Sequence, residues 1–169
     1  MDTVRNDLGR TLQQVAERYA QVAQDVVGDN LISVVLFGSV ARGQVRPDSD
    51  IDLLVICREL PTGIFRRREV LEPVRERLQE VLERLWDQGV YTDFVEVIKT
   101  MEEAERTHLL YLDMTEEAQI LWDRDGFFAG ILDRVRERLR ELGARRKTLG
   151  RLCYWDLKPD FQPGEVIVL

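Results

Sequence analysis

Histidine and cysteine are scarce: His108 is the single histidine, and Cys57 and Cys153 are far apart and in no metal or redox spacing. A zinc cluster and a disulfide framework are therefore excluded as organising features, and a reducing, cytoplasmic setting is expected. Basic charge is also short. Lys and Arg number 24 against 31 Asp and Glu, a net charge of −7, whereas general nucleic-acid binders carry basic surface that displaces condensed counterions. No apolar run approaches the length of a bilayer span, and no cationic stretch leads into an apolar one at the start, so no membrane role is expected. Internal repeats and low-complexity linkers are absent as well.

What is there fits one compact domain with a tail, at 169 residues. Val4, Leu8, Leu12, Val15, Tyr19, Val22 and Val26 recur at three- and four-residue spacing, the stripe of an amphipathic helix that ends near Gly28. Leu31 to Phe37 and Ile51 to Cys57 are short, continuously apolar and rich in β-branched residues, which predicts buried strands. Their link barely reaches the minimum for a parallel crossover, so antiparallel neighbours are expected. A second helical stripe runs from Ile64 to Leu85, with Pro73 expected to kink or break it. Val90 to Ile98 reads as a third strand, followed by a helix from about Thr100, where Thr100 and Glu103 have capping-box spacing. Ile120 to Trp122 is a candidate strand, and Phe127 to Leu142 carries the last helical stripe.

The stretch "LFGSVARGQVRPDSDIDLLVI" concentrates features that cost stability unless they act on a ligand. A strand ending in Gly38-Ser39 and turning into a short helical piece, Val40 to Arg42, presents free backbone N–H groups, which suit phosphates. Gly38 admits close approach, Ser39 adds a hydroxyl and Arg42 is near enough in sequence to add charge. Asp50 and Asp52, two apart on the next strand, leave the same face of the sheet. Carboxylates held that close repel, and a divalent cation keeps both ionised. Together these describe a site for a Mg²⁺-nucleoside triphosphate, with two metal ions about 3.5–4 Å apart serving in-line displacement at the α-phosphorus. A third carboxylate is expected from the neighbouring strand. Asp93 and Glu96 are the candidates; Asp93 is preferred, because an aspartate inside a strand needs more justification than a long glutamate that reaches water.

"GSVARG" followed by "SDIDLLV" resembles the signature of the DNA polymerase beta superfamily of nucleotidyltransferases, and at this length its minimal branch. The strong match covers about Leu36 to Val55; Val40 stands where the common pattern has arginine. The resemblance implies that Gly38 and Ser39 hold phosphates and that Asp50 and Asp52 bind metal. It implies transfer of a nucleoside monophosphate, most often AMP from ATP, to a hydroxyl acceptor. Relatives of this size often pair with a separate HEPN-type helical protein in toxin–antitoxin modules. The acceptor stays open among a protein hydroxyl, a small molecule and an RNA end.

Simpler readings weigh against isolated features. A lone Gly-Ser is usually a turn and a lone Asp-x-Asp a solvated strand end, but the two joined at this spacing are far less often incidental. An EF-hand reading of Asp48 to Glu59 fails at its sixth position, where Leu53 replaces the required glycine. Ser49 as a nucleophile lacks a nearby base, and His108 falls on an expected helix. The arginines of "FRRRE" and "RVRERLRELGARRK" alternate with glutamates and read as solvated, ion-paired faces. The expected molecule is thus α/β: a mixed sheet flanked by helices, a polymerase-beta-like nucleotidyltransferase fold with a helical C-terminal part. Its domain spans 1–142 with a core at about 31–100, and the tail 143–169 carries a candidate edge strand through which a homodimer could form. The competing reading is a catalytically inactive nucleotide-binding or protein-interaction module.

Overall fold

The computed structural model describes residues 2–150, 152–162 and 164–167. A long helix, α1 (Asp2–Val27), leads through one 3₁₀ turn into strand β1 (Leu31–Phe37), the four-residue helix α2 (Gly38–Ala41) and strand β2 (Ile51–Cys57). Helix α3 (Ile64–Asp87), strand β3 (Phe94–Thr100), and helices α4 (Met101–Glu105) and α5 (Leu110–Glu117) follow. Strand β4 (Gln119–Asp123), helix α6 (Phe127–Glu141) and a hairpin of β5 (Arg145–Leu149) and β6 (Leu152–Asp156) complete the described chain.

β1 to β4 form one mixed sheet in the order β3-β2-β1-β4. β1 is antiparallel to β2, as the short β1–β2 link favours, and to β4, and β2 runs parallel to β3 across the long α3 crossover. β2 is apolar on both faces because both are covered. Ile51, Leu53, Val55 and Cys57 face a core shared with α1 and α3, and Leu54 and Ile56 face a second core built by α4, α5 and α6. The mixed sheet between two helical layers is the architecture expected from sequence.

Ser33 interrupts the apolar run of β1 and is fully buried. Its hydroxyl donates to Asp123 Oδ1 on β4 at 2.6 Å, and the same carboxylate accepts from the backbone N–H groups of Phe128 and Ala129 at 3.0 Å each. One side chain at a strand end therefore satisfies the buried hydroxyl and caps α6.

Four local expectations are corrected. Helix α3 runs through Pro73 unbroken, since Pro73 and Glu69, the residue whose carbonyl loses its donor, are both exposed to water. The third strand begins at Phe94 and not at Val90, because Val90 N–H donates to Leu85 and Tyr91 N–H to Pro47, outside any ladder. The helix from Thr100 is two short helices. Its capping box is present, with Thr100 Oγ1 accepting from Glu103 N–H, but the chain leaves α4 at Arg106, and His108 lies in the turn where its Nδ1 accepts from Leu110 N–H at 3.1 Å. The tail folds as the β5–β6 hairpin, docked by Trp155 and Leu157 on the second core. Of the segment expected as a terminal edge strand, residues 168 and 169 lie outside the described residues, and 165–167 are in no regular element.

Candidate active site

Sequence and register place the candidate residues at one end of the sheet. Phe37, the last residue of β1, pairs with Asp52, so the turn at Gly38 and the acidic start of β2 sit side by side. Gly38 has φ +72°, a conformation that glycine adopts without strain. Its α-carbon packs against the Asp52 carboxyl so closely that a β-carbon would overlap Oδ2. Glycine is thus required twice, once by the backbone and once by the acid behind it. α2 then turns tightly: Arg42 N–H donates to Gly38 O at 3.2 Å and Gln44 N–H to Ser39 O at 2.9 Å. Ser49 is a turn residue, its hydroxyl accepting from Arg46 N–H at 2.9 Å.

Asp50 is exposed and Asp52 half-buried. Burial first, and then the charge of Asp50, raise the Asp52 carboxyl above the usual aspartate range, while the Arg42 guanidinium opposes the rise. A carboxylate held uncomfortably beside another is relieved by a cation, and two hard oxygen donors suit Mg²⁺. The pair therefore fits such an ion. Among the described residues, no third His, Cys, Asp or Glu side chain joins them in a ligand cluster.

The two candidates for the third carboxylate are occupied elsewhere, by the same cation. Asp93 stands just before β3, and its backbone carbonyl accepts from Ile51 N–H at 2.9 Å. Its exposed carboxylate is held by both Arg75 Nη2 contacts, at 2.7 and 2.9 Å. Glu96 belongs to the opposite face of the sheet. It accepts from Arg75 Nη1 at 2.9 Å and from the buried Tyr19 hydroxyl at 3.1 Å, under α1 and α3 and away from Asp52. Burial raises the Glu96 carboxyl above the usual glutamate range against the pull of Arg75. On the face that Asp52 shares, its partner across β3 is Val95.

Sequence reasoning left one acid unnoticed. Glu117, at the end of α5, accepts from Arg42 Nη1 at 3.0 Å and pairs through its other oxygen with Arg146 of β5. Gln119 Nε2 donates to Ala41 O at 3.1 Å and holds the same turn. The linear signal was the acid run at a helix C-terminus in "DMTEEAQ", which needs compensating cations.

The sequence profile of the nucleotidyltransferase domain family matches residues 18–109, more than half of the chain and all of the site turn, β2 and β3. A Methanocaldococcus jannaschii protein assigned as a protein adenylyltransferase is 29% identical over 133 residues, covering 79% of this chain and 86% of its own. A second protein of that organism with the same assignment is 35% identical over 49 residues, 29% of this chain and 50% of its own. Among solved structures, a toxin–antitoxin with AMP-PNP aligns at TM-score 0.46 and 17% identity, over 76% of this chain and 92% of that one. A complex of the tri-AMPylated Shewanella oneidensis HEPN toxin with MNT antitoxin aligns at TM-score 0.42 and 15% identity, over 78% and 92%. On the profile match, with Gly38, Ser39, Asp50 and Asp52 gathered at one sheet end, the chain belongs to the nucleotidyltransferase domain family of the polymerase beta superfamily and is a transferase.

Proposed function

We propose that the protein transfers AMP from ATP to a hydroxyl group of a partner protein. The observation that carries this is the contact of Gly38 with Asp52, which sets a phosphate-binding turn against a pair of carboxylates. The similarity, over 79% of this chain, to a protein assigned as a protein adenylyltransferase supports AMP as the group moved and protein as the acceptor. The motif resemblance adds a HEPN-type toxin as the first acceptor to try.

In this reading the backbone N–H groups at Gly38 and Ser39, with the Ser39 hydroxyl and Arg42, hold the β- and γ-phosphates. Asp50 and Asp52 hold Mg²⁺, and Asp93 completes the set once Arg75 releases it. The cation, when bound, supplies positive charge at the triphosphate and lowers the pKa of a coordinated hydroxyl. The acceptor oxygen forms a bond to the α-phosphorus as the bond from that phosphorus to the bridging oxygen breaks. Pyrophosphate leaves with that oxygen, and the acceptor's proton passes to Asp93 or to water.

The test is label transfer from [α-³²P]ATP with Mg²⁺, in cell extract and with a purified HEPN-type protein, beside an Asp50→Ala/Asp52→Ala double variant. A labelled protein band that vanishes in the variant is the expected result. Label on RNA or on a small molecule would overturn the choice of acceptor. Absence of label, with ATP still bound by calorimetry, would overturn the transfer reading in favour of a binding module.

A further inference from the structure

Helix α5 carries Asp113, Glu116 and Glu117, two of them in its last turn, where the helix dipole disfavours negative charge. Such an arrangement costs stability unless cations compensate it, and the cations come from two directions. Arg146 of the C-terminal hairpin reaches Glu116 at 3.2 Å, Glu117 and Asp113 at 3.6 Å, and the Trp155 indole N–H donates to Asp113 at 3.0 Å. Arg42, which follows α2, takes the remaining oxygen of Glu117 at 3.0 Å. Glu117 is the most enclosed of the three acids, with 15% of its side chain exposed, so this is a shared and partly desolvated carboxylate, not a loose surface pair.

Arg42 is the one cation of this network beside the site, close enough for its charge to act on Asp52. An arginine paired with a single carboxylate has its charge cancelled. Two arginines face three carboxylates here, so the network adds no surplus positive charge, and what it supplies to Arg42 is a fixed direction for its guanidinium. We propose that Glu117 is a positioning residue that holds Arg42 toward the nucleotide phosphates, and that the C-terminal hairpin supports it through Arg146. The proposal rests on the nucleotidyltransferase reading of the Gly38–Asp52 site. It makes the hairpin part of the support of the site, through Arg146 and Glu117.

The test is a double-mutant cycle on the full chain, read by calorimetric binding of ATP with Mg²⁺ and by KM and kcat for transfer. Glu117→Ala is expected to raise Kd and KM for ATP about tenfold with kcat changing much less, and Arg146→Ala to act in the same direction more weakly. In an Arg42→Ala background, Glu117→Ala should add less than about twofold. Glu117→Gln, which keeps an oxygen for Arg42, should recover most of the affinity, and Arg146→Ala, which leaves Glu117 in place, carries the cycle against Arg42→Ala if the alanine variant of Glu117 does not fold. Equal losses in both backgrounds, a fall in kcat with KM unchanged, or unaltered ATP binding would each overturn the proposal while leaving the transferase reading intact. Failure of the unsubstituted protein to bind ATP would overturn the reading and the proposal with it.

Discussion

At the scale of single residues, the site depends on the absence of one atom and the division of one cation. Gly38 has no β-carbon, and the space is filled by the Asp52 carboxyl. Gly38→Ala should therefore abolish transfer and lower stability by about 1–3 kcal/mol, from the positive φ and the overlap together, as measured by denaturant unfolding. Arg75 is divided between Asp93 and Glu96, and the two acids should respond differently to neutralisation. Glu96→Gln removes a nearly enclosed carboxylate from Arg75 and Tyr19, which should cost about 1–3 kcal/mol and leave kcat close to unchanged. Asp93→Asn should lower kcat at least about tenfold with little change in melting temperature. Equal kinetic effects would remove Asp93 from the site. The sequence posed the choice between these acids but could not show that one arginine from α3 holds both, because that pairing depends on how α3 lies along β3.

At the scale of elements, what was legible was local. The β1 and β2 runs, their antiparallel pairing, the stripes of α1, α3 and α6, and the Thr100–Glu103 capping box all depend on residues close in sequence. What was missed needed a partner from elsewhere: the late start of β3, set by Pro47 and Leu85; the Ser33–Asp123 link; and the Glu117 bridge. The α4 cap also predicts a pH effect. Arg67 donates to both oxygens of Glu103, at 2.7 and 2.8 Å, and with the Thr100 N–H it pulls the Glu103 carboxyl down to about 2. A depressed carboxyl contributes stability above its unfolded value, 4.5, and loses it as pH falls toward about 2. Glu103→Gln should thus melt lower than the unsubstituted protein at neutral pH, by a cost of about 1 kcal/mol or less given the solvent exposure of the pair, and the difference should vanish across that acid window. A difference that persisted at low pH would assign the effect to packing.

At the scale of the whole molecule, the two helical layers separate the cysteines completely. Cys57 ends β2 in the first core, where burial pushes its thiol up to about 11, whereas Cys153 is exposed on the hairpin. An aromatic disulfide reagent should titrate one thiol per chain rapidly in the folded protein and the second only on unfolding. Rapid reaction of both would mean that β2 opens readily. The mixed sheet between helices was readable because apolar periodicity reports burial; the hairpin was not, because β5 is a basic, mostly exposed strand that pairs with β6 and whose acidic partners on α5 lie elsewhere in the sequence.

The pairing of Phe37 with Asp52 has a further consequence for how the chain acquires its activity. The phosphate turn and both site aspartates belong to one antiparallel unit of near neighbours, so the loop that must close to bring them together is short and its entropic cost small. The parallel pairing of β3 and the attachment of the C-terminal hairpin close much longer loops. During synthesis from the ribosome, the Gly38 turn and the two aspartates can therefore come together before Glu117 and Arg146 have been translated, and under the proposed roles of these residues full nucleotide affinity would be acquired last.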